Sequence, residues 1–385
     1  SELFNKKNKT IYIRIGNPIS VKEQAAFTDI SRYGRYLRAR TFSLGTAIGE
    51  VKKFFPKGFR KTRKAEAIIS PVSKDKIQEE VNYLEKEKYM LFQSQNFKIF
   101  CAPSLEIPHV VNEIGRLREI TFREVGEGTN RKIDLDEFDL YYHQLFIWDE
   151  EKQQIVGAYR VGKGKDIIEQ YGIKGFYFQS LFKVNTQFRP ILKESIELGR
   201  SFVIKDYQRK PMPLFMLWKG ILYFLIKNPE YRYLIGPVSI SGTFSTFTKS
   251  IIIEFIKMNY YNHEFARYIK PRKRFKVNTT NIDTDILFER THNDLKKLDA
   301  FIRDTEPSNY RMPVLLRKYL QQNGKIIAFN IDPKFNDALD GLLILDLFDV
   351  PMETITSLSK EINDESLLDR FFYHDFNYLG SIPQF

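Results

Sequence analysis

Across 385 residues the chain carries 60 Lys/Arg against 48 Asp/Glu, a net charge of +12, with 43% hydrophobic and 28% charged residues. Those are the proportions of a folded globular chain rather than a disordered one. The excess is local: residues 1–100 hold 21 basic and 10 acidic side chains, while residues 101–385 hold 39 and 38. That split excludes a protein that coats nucleic acid along its whole length.

In chain order, Thr10–Gly16 reads as a strand, Asn17-Pro18 as a turn, and Val21–Leu44 as a helix with Phe27, Ile30, Tyr33, Tyr36 and Leu37 on one apolar stripe. Val51–Lys64 follows, with seven basic residues, three Phe and no acid. Cations interleaved with rings suit an anionic membrane surface. The alternative is a solvated linker whose Phe side chains tuck into the core. Asp75–Lys88 reads as a charged amphipathic helix and Phe97–Ala102 as a buried strand containing the lone cysteine, Cys101. One cysteine forms no internal disulfide and fits a reducing, cytosolic setting. A helix enters at Pro108. Tyr142–Trp148, Ile155–Val161, Gly175–Phe178 and Glu197–Ile204 read as strands, Pro213–Lys227 as a helix, Tyr233–Ile240 as a strand and Ser245–Met258 as a helix. The order predicts an α/β (α+β) fold with a mostly antiparallel sheet. Beyond Val277 the pattern is mainly helical, with one strand candidate at Lys325–Asn330 and an acidic end. The longest apolar run, Phe215–Ile226, is interrupted by Lys219 and is too short to span a bilayer.

Several familiar motifs fail. Asp134, Asp136 and Asp139 lack the Gly and closing Glu of a calcium loop. The five histidines show no metal-ligand spacing, so no metal is expected. Gly162-Lys163-Gly164-Lys165 is not a phosphate-binding P-loop, and no Gly-x-Ser-x-Gly elbow is present. The basic loop Lys270–Lys276 reads as solvated, and nucleic acid is not expected as a partner.

What remains is an ordered series: Arg118-Glu-Ile-Thr-Phe122-Arg123, Asp136-Glu-Phe138-Asp139, Tyr142-His143-Gln-Leu145, Val156-Gly157-Ala-Tyr159-Arg160, Glu197-Leu198-Gly199-Arg200-Ser201 and Gly236-x-x-Ser239. It resembles the hemolysin-related branch of the GNAT acyltransferases, with the bacterial ornithine-lipid and glycine-lipid N-acyltransferases, and more distantly the acyl-homoserine-lactone synthases. Pro313–Leu320, Gly324 and Ile331-Asp332-x-x-Phe335 extend the likeness into the C-terminal part. Ile11–Ile19 and the helix after it resemble the tail of a PlsC-type glycerolipid O-acyltransferase, without the His-x4-Asp motif of that enzyme. The organisation expected is therefore a basic segment over residues 1–70, a GNAT-like domain over 71–275 and a helical C-terminal extension over 276–385 packed on it.

The resemblance implies a lipid-biosynthetic N-acyltransferase that moves a (3-hydroxy)fatty acyl group onto the amine of glycine or ornithine, with no permanently bound cofactor. Glu197 is the implied proton relay, since an amine attacking a thioester must lose a proton. On a regular strand Glu197 and Gly199 share one face, while Leu198 and Arg200 share the other. An ordinary strand glutamate paired with Arg160 or Arg200 is the alternative. Arg160, Asp136 and Asp139, with Arg200 and Ser201, are candidates for an acceptor pocket or for scaffold. His143 is a candidate for polarising substrate or for a structural role.

The coenzyme A loop of ordinary GNAT enzymes is replaced here by Gln208-Arg209-Lys210-Pro211-Met212-Pro213, with proline at both glycine positions. Proline has no N–H to offer a pyrophosphate. The expected donor is therefore an acyl-phosphopantetheine thioester on acyl carrier protein, with acyl-CoA the weaker choice, and Gln208, Arg209 and Lys210 meet phosphate or carrier. The expected setting is cytoplasmic and peripheral on the inner membrane, beside an upstream O-acyltransferase module. The rival readings are an acyl-CoA-dependent GNAT with another amine, and a non-enzymatic, membrane-active hemolysin.

Overall fold

The computed structural model describes residues 13–51, 65–279, 282–289, 294–306 and 311–371. The basic aromatic segment lies, after Val51, outside the described residues. Two compact units are present, and they do not follow chain order. One takes residues 1–61, 240–259 and 276–317, and the other takes 62–239, 260–275 and 318–385.

The larger unit is built on one eight-stranded sheet: β1 (Met90–Ser94), β2 (Phe97–Pro103), β3 (His143–Asp149), β4 (Gln154–Lys163), β5 (Ser195–Val203), β6 (Tyr233–Ile240), β7 (Lys325–Asp332) and β8 (Ala338–Asp346). Their spatial order is β1-β2-β3-β4-β5-β6-β8-β7. The run from β1 to β5 and the β7–β8 pair are antiparallel. Ser195–Glu197 of β5 pairs in parallel with Tyr233–Ile235 of β6. This is the mixed α/β architecture with a mostly antiparallel sheet that the element order predicts.

Period-two alternation divides the sheet's faces. Phe100, Phe146, Trp148, Ala158 and Phe202 pack under α1 (Lys74–Lys86) and α2 (Pro108–Glu124) through Ile77, Val81, Leu84, Val110 and Ile114. Each such fully buried large side chain contributes about 1.5–3 kcal/mol. On the opposite face α3 (Pro211–Lys227) approaches closely enough that a Cβ on Gly220 would touch Ile99 at 3.0 Å and Leu145 at 3.4 Å. Among the described residues no helix is long and apolar enough to cross a membrane.

Three local expectations are corrected. Residues 175–178 are not a strand but part of two 3-10 turns, Gly172–Gly175 and Tyr177–Ser180, because the Tyr177 and Phe178 amides bond to the Glu197 carboxylate instead of a neighbouring strand. The C-terminal part is not wholly helical, since β7 and β8 enlarge the sheet. The Leu342–Leu345 run has no period that distinguishes buried strand from helix. In the smaller unit, the single helix expected over 21–44 is two, Val21–Ala25 and Ile30–Val51, with the Asp29 carboxylate accepting the Ser31 amide at 2.8 Å where the second begins. Tyr36, Ala39, Ile286 and Leu287 form that unit's local core.

The recorded parallel pairing ends at Glu197 and Ile235, although β5 runs on to Val203 and β6 to Ile240. Gly236 lets the two strands meet there: the Leu198 carbonyl oxygen stands 2.2 Å from where any Cβ would be. Pro237 follows and has no N–H with which to continue the ladder. A gap therefore opens between the strands. Gly236→Ala is expected to cost about 1–3 kcal/mol by overpacking, whereas Gly199→Ala, whose Cβ meets nothing within 4 Å, leaves the melting temperature unchanged. Thermal unfolding of the two variants checks this.

Candidate active site

The loop after α2 delivers three acids in six residues, Asp134, Asp136 and Asp139, and all are wholly or largely buried. Buried carboxylates need partners, and three arginines from three elements supply them. Arg118 of α2 donates to both Asp139 oxygens, at 3.1 and 2.9 Å, and its Nε lies 3.3 Å from Asp134. Arg160 of β4 reaches Asp136 and Asp139, the latter at 3.2 Å. Arg200 of β5 lies 3.6 Å from Asp134 and 3.5 Å from Asp136. Gln144 adds a bond to Asp139 at 3.2 Å. Burial alone would push the Asp139 carboxyl up, but the Arg118 and Arg160 guanidiniums outweigh it and hold the group well below the usual carboxylate range. Arg160 is itself enclosed by the rings of Phe138, Tyr142 and Tyr177, at 5.1–5.4 Å.

Arg200 reaches this network only through a bulge. Between the pairs Arg160↔Gly199 and Ala158↔Phe202, β4 advances two residues and β5 three. Arg200 takes φ +52° at that point, a left-handed conformation that costs a non-glycine residue about 1–2 kcal/mol. The extra residue turns Arg200 onto the face of Glu197 and Arg160, and leaves Ser201 beside Tyr159 on the other. Strict alternation, which sets Arg200 opposite Glu197, is therefore corrected.

Glu197 lies at the last recorded parallel pair and is 1% exposed. It pairs with neither Arg160 nor Arg200. One carboxylate oxygen accepts the Phe178 amide at 2.8 Å, and the other accepts the Tyr177 amide at 3.0 Å and the Tyr142 hydroxyl. Burial pushes its carboxyl up to about 7, against the opposing pull of these donors and Arg160. Tyr177, whose amide bonds to Glu197, also lines a cleft of about 520 Å³.

That cleft is lined by Glu127, Arg131, Asp134, Asp136, Arg200, Arg272, Lys273, Asn330 and Asp332, among others. Of the residues singled out in the sequence, Asp136 and Arg200 line it, Arg160 and Asp139 support those two, and Glu197 lies behind its wall. His143 and Ser201 are on the opposite face. Burial, with a smaller push from Lys163, lowers the His143 imidazole to about 4 and keeps it neutral, and its ring lies 6.5 Å from Phe224. Cys101 is buried and its thiol pushed up to about 12, which leaves it unreactive.

Gln208, Arg209 and Lys210 sit apart, exposed, where β5 leads into α3. Lys210 lies over the Tyr207 ring at 4.9 Å. Pro211 and Pro213 are the first and third residues of α3, so among its first three positions only Met212 has an N–H. The sequence reading missed Arg118, Asp134, Tyr142, Tyr177 and the β7 residues Asn330 and Asp332. It also dismissed Arg272 and Lys273 as solvated loop. The signals were present, in the Arg118–Arg123 motif and in Ile331-Asp332-x-x-Phe335, but no role was attached to them. Among the described residues no group of three His, Cys, Asp or Glu is placed to hold a metal ion.

Several known proteins are similar to this chain. Residues 117–219 match the family model described as Acetyltransferase (GNAT) domain. A glycine N(alpha)-acyltransferase of Bacteroides thetaiotaomicron is 30% identical over 295 residues, covering 72% of this chain and 86% of the relative. One of Phocaeicola vulgatus is 28% identical over 296 residues, covering 72% and 88%. The crystal structure of the AHL synthase LasI aligns over 42% of this chain and 78% of its own, at 15% identity and a TM-score of 0.27.

Glu197→Gln offers a test of the carboxylate's structural role. The amide nitrogen cannot accept from Tyr177 or Phe178, and an unmet buried donor costs about 1–3 kcal/mol. Because the folded carboxyl titrates near 7 and the unfolded one near 4.5, the folded state holds the extra proton between those values. The wild type therefore loses stability relative to the variant as pH rises from about 4.5 to about 7, by up to about 1.4 kcal/mol per pH unit. Urea unfolding of both proteins across that window measures the difference.

Proposed function

The chain belongs to the GNAT N-acyltransferases, in the branch that holds the two glycine N(alpha)-acyltransferases above, and from that premise we propose that it acylates the amine of a small amino acid, glycine first, to make an acylated amino-acid lipid. An acyl thioester is the co-substrate of that family. Two features support the reading: the β5–β6 gap beyond Ile235, and a cleft lined by both carboxylates and cations. A zwitterionic amino acid presents both charges, and Arg131, Arg272 and Lys273 suit its carboxylate.

In this reading the thioester lies along the gap, where backbone N–H groups of β5 and β6 meet the oxyanion that develops on its carbonyl. Arg160, Arg200, Asp136 and Asp139 shape the acceptor side of the cleft. Glu197 contributes by fixing Tyr177 and Phe178, with its proton exchangeable through Tyr142. Ser201 and His143, on the far face, act on packing.

Acyl carrier protein is the proposed donor. Two prolines in the first turn of α3 take away the amides that a diphosphate would need, and the exposed cations Arg209 and Lys210, with Gln208, suit the single phosphate and acidic surface of a carrier. Docking on an anionic bilayer through residues 51–64, and an upstream O-acyltransferase partner, rest on the sequence alone.

The test uses the full chain with glycine and a matched 3-hydroxyacyl chain on carrier protein or on coenzyme A, read by mass spectrometry. The expected product is N-acylglycine, formed at least about tenfold faster from the carrier, a difference of about 1.4 kcal/mol. Equal rates would overturn the donor assignment, and no acylated amino acid from either donor would overturn the activity.

A further inference from the structure

One carboxylate beside the cleft is built differently from the others. Asp340 of β8 is 2% exposed. Its Oδ1 accepts the Ser239 hydroxyl at 2.6 Å, while its Oδ2 is buried and has no hydrogen-bond partner. Ser239 comes from β6, four residues past the last recorded parallel pair, at the gap. Asp340 is paired in register with Asn330 of β7, a residue of the cleft wall. The groups whose charges act on it, Asp332 of β7 and Glu127 of the loop after α2, line the same cleft, and Asp340 acts in turn on Tyr177.

No cation is among these neighbours. The arginines of the Asp134–Asp139 network are already committed to that network. A buried, half-satisfied carboxylate among other acids is costly, and such an arrangement persists when something brings the missing donor. A metal ion is a poor candidate, because no triad of ligands converges here among the described residues. An ammonium group supplies both the charge and the N–H.

We propose that Asp340, oriented by Ser239, receives the acceptor's ammonium group and takes the proton that must leave before the amine attacks. This rests on the acyl-transfer reading above and gives that site its base. The step balances as follows. The ammonium passes one proton to the Asp340 carboxylate. The free amine forms the C–N bond to the thioester carbonyl carbon, the C–S bond breaks, and a second nitrogen proton ends on the departing thiolate. The products are amide and thiol, and Asp340 returns its proton to solvent. Burial first, with the Asp332 and Glu127 charges adding and the Ser239 hydroxyl opposing, pushes the Asp340 carboxyl up to about 7. A base of that strength suits proton transfer near neutral pH.

The experiment follows acyl transfer to glycine by the full chain from about pH 5.5 to 9, for wild type, Asp340→Asn and Ser239→Ala. The expected wild-type profile rises with pH to a limb near neutrality. Asp340→Asn is expected to lower kcat at least about 100-fold and to remove the limb, with its melting temperature retained. Ser239→Ala is expected to lower the maximal rate less than Asp340→Asn does and to move the limb to higher pH, because the hydroxyl orients the carboxylate and stabilises its charged form. Asp340→Asn with kcat within about threefold of wild type and its limb intact overturns the proposal. If that variant does not fold, an unmoved limb in Ser239→Ala overturns it instead. A wild type that acylates no amine overturns the reading beneath it, and the role of Asp340 falls with it.

Discussion

Burying six charges together is the constraint on which this site depends. Asp134, Asp136 and Asp139 come from one loop, and Arg118, Arg160 and Arg200 from a helix and two strands. Removing one member would strand its partner in a medium where an unpaired charge costs several kcal/mol. The loop, α2 and the middle of the sheet are thereby tied to one geometry. The bulge at Arg200 is part of that arrangement. A left-handed arginine is unfavourable by itself, and it persists because the conformation brings the third cation to the third aspartate.

The same network decides what the cleft can select. Asp136 and Arg200 line it, yet their charges are largely committed to one another and to Arg160. The charged groups on the other walls are Glu127, Arg131, Arg272, Asp332 and Lys273, the last of these 2.9 Å from Asp337. The cleft's walls thus come from residues more than 200 positions apart, including a strand that lies beyond the matched GNAT segment. A fragment ending near residue 219 would carry the family signature and lack one wall of the cleft.

How far the sequence alone discloses this can be judged residue by residue. The strands at 143–149, 195–203 and 233–240 and the helix at Pro108 were legible, since their periods and entry residues are strong. The acid–arginine motif was legible as a set. Three things were not. The bulge at 199–201 depends on register with β4, which no local pattern in Glu197–Ser201 discloses. The burial of Glu197 depends on a turn at 175–178 that reads locally as strand, because its amides are satisfied by a side chain twenty residues away in the chain. Strand β8 carries the apolar run Leu342–Leu345, whose lack of period hides the strand and with it the burial of Asp340. In each case a long-range partner outweighed a local preference.

The gap beside Pro237 has a kinetic meaning. It exists because a donor is missing from the covalent chain, not because a ligand has prised two strands apart. An extended donor arm can therefore enter without first breaking a ladder, and its arrival trades solvent hydrogen bonds for strand hydrogen bonds at little net enthalpy.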